Sequence, residues 1–84
     1  MVDLTAIILT KNEGDNIEDC LKSIQYFAKR IVLVDSGSTD NTISIAKKYK
    51  VDIYSHKFEN YARQFNWAID NTNITSKWTL RLDA

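Results

Sequence analysis

Asp35 and the three residues after it have types and spacing that could bind a ligand. The apolar run at residues 31–34 leads directly into Asp35, and Ser36, Gly37 and Ser38 follow. A carboxylate at that position can accept hydrogen bonds from N–H or hydroxyl groups of a ligand, and small neighbours let the ligand approach the backbone. An Asx turn that only begins the loop explains the same pattern, and both interpretations stay open.

Polar residues also follow the apolar runs near the two ends of the chain. Thr10, Lys11 and Glu13 come after the first run, and Asp83 comes after the last. Asp83 could hold a hydroxyl group or a divalent cation, because such cations prefer hard oxygen ligands, or it could be a turn residue. Thr10 and Glu13 could cap the next helix, and Lys11 could be a solvated charge.

The remaining candidate residues have ordinary structural explanations. Arg63 could reach a phosphate, although solvated arginines are more common, and His56 is a lone loop histidine. Trp67 and Trp78 are predicted to pack in the core or at its edge, and Cys20 is predicted to be a small, inert core residue. Since the only histidine lies in a loop and no Ser-His-Asp arrangement presents itself, we reject Ser-His-Asp hydrolase chemistry.

Four strands and three helices must position these groups. Nearly continuous apolar runs predict strands at residues 4–10, 31–34, 51–54 and 78–82. Apolar residues at helical spacing predict the helices: Ile17, Cys20, Leu21, Ile24 and Ala28 in the first, Ile43, Ala46 and Tyr49 in the second, and Tyr61, Phe65, Ala68 and Ile69 in the third. Helix caps are predicted at Asp15 or Asn16, at Thr39 or Asp40, and at Asn60.

The resulting β-α-β-α-β-α-β order predicts an α/β fold with a parallel, Rossmann-like sheet. In such a sheet the ligands bind beyond the carboxyl ends of the strands, near the switch in strand order. Three of the predicted strands end in polar groups, at residues 10–13, at residues 35–38 and at Asp83. We therefore expect these groups to meet along one edge of the sheet.

The composition excludes several classes of partner. The 84 residues suit one small domain, and 11 Lys and Arg balance 11 Asp and Glu. A formal net charge of zero gives no bulk attraction to nucleic acid or to an anionic membrane. The single cysteine cannot form an intramolecular disulfide, which suits a reducing, cytoplasmic compartment. The apolar run at residues 6–9 is too short for a signal sequence or a membrane span.

Taken together, these residues resemble the family 2 glycosyltransferases, which have the GT-A fold. The resemblance lies in four stretches that occur in order along the chain: LTAIILTKNEGDNIEDCLKSI, IVLVDSGSTDNT, FENYARQFNWAI and LRLDA. The pairing of TKNE with VDSGSTDNT, followed by FEN and NWA, looks closest to bacterial lipopolysaccharide-core β-glucosyltransferases.

The resemblance implies roles for particular residues. The loop that begins at Thr10 would contact the nucleotide, with Thr10 near the base, and Asp35 would accept a hydrogen bond from a uracil ring. Asp83 would be the first aspartate of a DXD-type motif, which contacts the ribose and helps to arrange a diphosphate bound to Mg²⁺ or Mn²⁺. The implied nucleotide-binding set is Thr10, Asn12, Glu13, Asp35, Ser36, Gly37 and Asp83, and the implied metal ligand is Asp83.

The sequence also differs from the family pattern. The DXD-type motif would continue with a second acidic residue, and the acceptor site and the catalytic base would follow it; none of these lies within residues 1–84. Relatives often have a basic residue where Phe65 stands, so Arg63 is the substitute candidate for a diphosphate contact. We expect residues 1–84 to be the truncated nucleotide-sugar-binding half of the domain, without a catalytic residue.

The function implied by the resemblance is inverting transfer of a sugar from a UDP-sugar to a glycan or lipid-linked acceptor, with the 84-residue chain inactive alone. A nucleotide-binding module without catalysis is the alternative. A nucleotidyltransferase would be expected to carry a Gly- and Arg-rich loop where TKNEGD stands. An open sheet edge predicts self-association. The expected location is the cytoplasm, including the inner face of the membrane for a full-length protein.

Overall fold

A computed structural model describes all residues from Met1 to Ala84, and its strands and helices alternate along the whole chain. The strands are β1 (Val2–Thr10), β2 (Ala28–Asp35), β3 (Asp52–Ser55) and β4 (Trp78–Leu82), and the helices are α1 (Ile17–Ile24), α2 (Thr42–Ala46) and α3 (Tyr61–Asn71). The predicted order of elements is confirmed. None of the three helices has the length and apolar character needed to cross a membrane.

The four strands form one parallel sheet in the order β3-β2-β1-β4. The chain moves outward from β1 through β2 to β3, and then returns to the other side of β1 to add β4. The switch in strand order therefore lies between β1 and β4, and its carboxyl end is the usual place for a ligand in such a sheet. The register pairs Thr10 with Asp35 and Ile8 with Leu82, so the carboxyl ends of β1, β2 and β4 are neighbours.

The two faces of the sheet are covered by different helices. On one face Ala6, Ile8 and Leu33 pack against Ile17 and Leu21 of α1, in a core that also includes residues of α2. On the other face a smaller cluster is formed by Ile7, Val32, Val34 and Ala68, the last from α3. Because both faces are covered, β1 and β2 are nearly continuously apolar, as the sequence pattern predicted.

The prediction that Ala28 belongs to the first helix is wrong. The helix α1 ends at Ile24, and Ala28 is the first residue of β2, where it pairs with Val2 of β1. Ala28 is buried in the same core as the apolar residues of α1, so the apolar spacing continues across the end of the helix. In the second helix, Tyr49 lies beyond the end of α2 but still packs on that core.

The predicted apolar stripe of α3 is also wrong in part. Tyr61 and Ile69 are exposed, whereas Gln64 and Ala68 face the sheet. Gln64 is only 2% exposed, and both ends of its amide are hydrogen-bonded to His56. A polar residue can be buried there because its hydrogen bonds are satisfied, which a hydrophobic pattern cannot indicate.

One of the three predicted helix caps is confirmed. The side chain of Asn60 accepts a hydrogen bond from the backbone N–H of Arg63, as predicted. The N-cap of α2 is Asn41 and not the predicted Thr39 or Asp40, although the Asp40 carboxylate, one residue earlier, accepts a hydrogen bond from the backbone N–H of Thr42. The predicted side-chain cap at α1 is wrong, because Asn16 makes no such bond and the backbone carbonyl of Glu13 accepts from Ile17 instead.

Candidate functional site

The carboxyl ends of β1 and β2 are joined through Thr10 and Asp35. The Thr10 hydroxyl donates a hydrogen bond of 2.7 Å to Asp35 Oδ1, and both side chains are buried. The backbone N–H of Ser36 donates to the Thr10 carbonyl at 3.0 Å. Thr10 therefore does not cap α1, which was one of the two possibilities left open, and it lies beside Asp35 at the predicted edge.

The Asp35 carboxylate organises the loop that follows it. Oδ1 accepts from the hydroxyls of Thr10 and Ser38, and Oδ2 accepts from the backbone N–H groups of Gly37 and Ser38. These bonds form the Asx turn that one interpretation of the sequence predicted. They also occupy the roughly four acceptor positions of a carboxylate, so a uracil N–H would have to share or replace one of them. The uracil contact stays a prediction.

The same hydrogen bonds keep Asp35 ionised. Burial raises the pKa of the Asp35 carboxyl, but the hydrogen bonds from Ser38, Thr10 and Gly37 outweigh burial and hold the pKa below its ordinary value. The site thus has a fixed negative charge, 5% exposed, directly behind the loop backbone.

The first two loops at this edge are interlocked. Asn12 has a left-handed backbone, with φ of 54°, and its side-chain oxygen accepts from the backbone N–H groups of Thr39 and Asp40. In return, the Gly14 N–H donates to the Asp40 carboxylate. A Cβ on Gly14 would lie 2.1 Å from Asn41 Oδ1, so any larger residue at this position would require the Asn41 side chain to move. The Asn12 side chain is therefore committed to the neighbouring loop.

Lys11 also connects the two loops. Its ammonium group donates to the carbonyls of Ser36 and Gly37, at 3.3 and 2.8 Å, although the side chain is exposed. Gly37 has a left-handed backbone with φ of 97°, which favours glycine at this position. Lys11 is thus more than a solvated charge, because it supports the turn after Asp35.

Two adjoining pockets open beside these loops. The larger has a volume of about 500 Å³ and the smaller about 300 Å³, and Leu9, Glu13 and Tyr61 line both. The larger pocket is otherwise lined by Thr10, Lys11, Ser36, Lys57, Phe58 and Gln64. The smaller is otherwise lined by Arg81, Asp83 and Ala84. Together the pockets form a crevice beside the switch between β1 and β4.

The crevice brings together only part of the predicted site. Thr10, Glu13 and Ser36 line the larger pocket, and Asp83 lines the smaller one. The other predicted residues, Asn12, Asp35 and Gly37, line neither pocket and shape the adjoining loops.

Sequence reasoning missed seven residues of the crevice, namely Lys57, Phe58, Tyr61, Gln64, Arg81, Leu9 and Ala84. The first four lie after β3 or at the start of α3, a connection that leaves the same edge of the sheet. Their position after β3 was the signal from which the sequence could have indicated these four residues. Arg81 stands within LRLDA, two residues before Asp83.

Arg63 and His56 lie outside this crevice. Arg63 forms an ion pair of 2.8 Å with Glu59 and lines a separate pocket of about 320 Å³. His56 lines that pocket too, where its ring stacks on Trp67 with 4.2 Å between ring centroids. The structure therefore does not bring Arg63 to Asp83.

Asp83 is exposed at the mouth of the smaller pocket, and Cys20 lies behind it. The Cys20 sulfur is 3.9 Å from the Asp83 carbonyl oxygen. Burial raises the pKa of the Cys20 thiol, and the charge of Asp83 raises it further. Cys20 is thus a protonated core residue, as predicted.

Comparison with known proteins identifies the family. The model of glycosyl transferase family 2 matches residues 5–84. The chain belongs to this family. A glycosyltransferase of Rickettsia bellii is 33% identical over 81 residues, which are 96% of this chain and 27% of the relative. The lipopolysaccharide core biosynthesis glycosyltransferase LpsC of Rhizobium meliloti is 30% identical, with 96% of this chain and 31% of the relative covered.

A similar solved structure confirms the fold of this family 2 glycosyltransferase chain. Glucosyl-3-phosphoglycerate synthase of Mycobacterium tuberculosis, solved with Mn²⁺, UDP and glucosyl-3-phosphoglycerate, has a TM-score of 0.77 and 19% identity. The match covers 95% of this chain and 32% of the synthase. The predicted GT-A resemblance is therefore confirmed. The chain spans less than a third of the length of the relatives named here.

The residues of this glycosyltransferase chain fit a divalent cation only if the cation is shared with a ligand. Asp83 offers carboxylate oxygens in the smaller pocket, and Glu13 lines the same pocket. No group of three or more acidic, histidine or cysteine side chains is placed to hold a metal ion. Mg²⁺ is commonly bound by one or two carboxylates together with substrate phosphates, and these residues fit that arrangement.

Proposed function

We propose that this chain binds the nucleotide of a UDP-sugar for an inverting family 2 glycosyltransferase that acts on a glycan or lipid-linked acceptor. The observation that carries the proposal is the crevice at the switch between β1 and β4, with Thr10, Glu13 and Ser36 in one pocket and Asp83 in the other. UDP and Mn²⁺ bound to the similar synthase support this choice of donor and cation.

In this proposal the two pockets bind different parts of the donor. The larger pocket would hold the base, because it offers the apolar side chains of Leu9, Phe58 and Tyr61 for packing beside fixed polar groups at Thr10 and Ser36. The phosphates would extend toward Asp83 and Glu13, which would hold a Mg²⁺ or Mn²⁺ ion jointly with them. When bound, such a cation would neutralise charge on the leaving diphosphate.

The name of one relative supports a choice of acceptor. LpsC carries lipopolysaccharide core biosynthesis in its name, which supports an acceptor of lipopolysaccharide type. Transfer of glucose from UDP-glucose to a lipopolysaccharide core sugar is the reaction to test, with inversion read from the anomeric configuration of the product.

Calorimetric titration with UDP, GDP and ADP, with and without Mn²⁺, tests the donor assignment. The proposal predicts that UDP binds most tightly and that Mn²⁺ strengthens its binding. Equal, metal-independent affinity for the three nucleotides would overturn it.

The variant Asp83→Asn distinguishes binding of the cation from binding of the base. Because asparagine lacks the charge that attracts Mn²⁺, we expect the variant to lose the Mn²⁺-dependent gain in UDP affinity while keeping its metal-free affinity. Asp70→Asn is the matched control, since Asp70 is an exposed aspartate that lines the separate pocket of α3. A full Mn²⁺ effect in Asp83→Asn would contradict the assignment.

A further inference from the structure

Arg81 occupies a distinctive position in the crevice. It pairs in register with Ile7 of β1, whose side chain belongs to the core on the α3 side of the sheet. Its guanidinium carbon lies 5.8 Å from the centre of the Tyr61 ring, over the aromatic face. Arg81 and Tyr61 both line the smaller pocket, together with Asp83.

The guanidinium of Arg81 is held by fewer and longer contacts within the chain than those of the other two arginines. Arg30 donates hydrogen bonds to Asp52 and to the carbonyl of Thr72, both at 2.7 Å, and Arg63 donates one to Glu59. Arg81 has only Asp83 within reach, at 3.9 Å from Nε to Oδ1. Both side chains are exposed, at 45% and 79%, and such a loose surface pair holds the guanidinium weakly.

A guanidinium in that position suits a phosphate. The planar fork of N–H donors in a guanidinium matches the oxygens of a phosphate. An aromatic ring face next to the guanidinium orients the group without occupying its N–H donors. Two lysines, Lys11 and Lys57, line the larger pocket, and Lys11 already donates to the loop carbonyls of Ser36 and Gly37.

We propose that Arg81, held over Tyr61, binds a phosphate oxygen of the donor nucleotide. This is the role for which the sequence suggested Arg63, and the assignment rests on the proposed function of the crevice. Arg81 thereby distinguishes a phosphorylated nucleoside from the nucleoside alone.

The test compares the affinity for UDP with the affinity for uridine, in EDTA so that no divalent cation contributes. It uses the 84-residue chain and the variants Arg81→Gln, Arg81→Lys and Arg63→Gln. Arg81→Gln is expected to weaken UDP binding about tenfold, because a charged hydrogen bond is lost, and to leave uridine binding unchanged. Arg81→Lys should restore part of the affinity for UDP. Arg63→Gln, the matched control in the separate pocket of α3, should bind both ligands like the parent chain.

Each other outcome counts against the proposal. Unchanged UDP affinity in Arg81→Gln overturns the assignment, and a loss confined to Arg63→Gln returns the role to Arg63. An equal loss for UDP and uridine, with a lower melting temperature, assigns Arg81 a structural role instead. If the parent chain binds neither ligand, the proposed function fails first and the Arg81 assignment fails with it.

Discussion

At the scale of single residues, Asp35 organises the loop that follows β2 at the edge of the sheet. Its carboxylate is buried and ionised, and it holds Thr10, Gly37 and Ser38 in place through four hydrogen bonds. The carboxylate therefore fixes the shape of the loop before any ligand arrives.

Replacing Asp35 by asparagine should reveal this role through pH. Because the pKa of folded Asp35 lies below its ordinary value of about 3.9, its stabilisation is fully present above about pH 4 and is lost as the pH falls through the folded-state pKa. We expect Asp35→Asn to lower the free energy of unfolding at pH 7 by about 1–3 kcal/mol and to flatten the loss of stability in acid. Urea unfolding between pH 7 and pH 3 measures both.

The control for this experiment is Asp70→Asn, which changes an exposed aspartate on α3. It should follow the parent chain at every pH. If Asp35→Asn were as stable as the parent at pH 7, the carboxylate would not organise the loop.

The sequence predicted the importance of Asp35 but not its partners. The apolar run before it and the small residues after it indicated a site or a turn. That Thr10 donates to Asp35 depends on the register between β1 and β2, which local pattern does not specify. The family resemblance implied that Asn12 contacts the nucleotide; that contact stays a prediction, and the structure adds that the Asn12 amide oxygen accepts hydrogen bonds from the neighbouring loop.

At the scale of elements, the loops after β1 and β2 behave as one unit. Asn12 receives hydrogen bonds from Thr39 and Asp40, and Gly14 donates one back to Asp40. The crevice wall is therefore assembled from both loops, and loosening either one should affect the other.

Variants of Asn12 test this connection. Asn12→Gly keeps the left-handed backbone but removes the amide oxygen, so the free energy of unfolding should fall by about 1 kcal/mol. Asn12→Ala should lose up to about 1 kcal/mol more, because alanine is strained at positive φ. Asn12→Asp, which keeps an acceptor oxygen, should stay close to the parent chain. Equal stability of the glycine variant and the parent in urea unfolding would contradict the interlock.

The helices were predictable to different degrees. The apolar stripe of α1 was correct until its end, because Ile17, Cys20, Leu21 and Ile24 all face the core. The stripe of α3 was partly wrong, since Gln64 is buried through hydrogen bonds to His56, a partner from the loop after β3.

At the scale of the whole molecule, the sheet has an uncovered margin at β4. This strand has one neighbour, β1, and Trp78 is 58% exposed on it, with Leu80 exposed beside it. Strands with free hydrogen-bonding groups and exposed apolar side chains tend to pair with other chains. Self-association of the 84-residue chain thus stays a prediction, and the exposed edge of β4 is the surface through which we expect it.

Sedimentation at increasing protein concentration measures this tendency. The parent chain should show an average mass that rises with concentration, and Trp78→Lys should shift the equilibrium toward monomer, because a charge opposes pairing at the edge. Tyr26→Lys is the matched control, since Tyr26 is a highly exposed aromatic residue that lies outside β4. A parent chain that stays monomeric at all concentrations would refute the prediction.

The overall architecture was the most predictable feature. Continuous apolar strands alternating with amphipathic helices leave few alternatives to a parallel sheet, and the family membership agrees with that fold. The order β3-β2-β1-β4 is not encoded in any local pattern, because it depends on which side of β1 the last strand joins. That choice creates the crevice in which Arg81 and Asp83 meet Tyr61.

Backbone amide NMR shifts during a UDP titration will show whether UDP binds at the carboxyl edge between β1 and β4. We expect the shifts to concentrate at Thr10, Glu13, Ser36, Tyr61 and Asp83. Amides around the pocket of Asp3, Lys29 and Ser76, which lies at the opposite end of the sheet, should not move. Shifts centred on that opposite end, or no saturable shifts at all, would show that UDP does not bind at this edge.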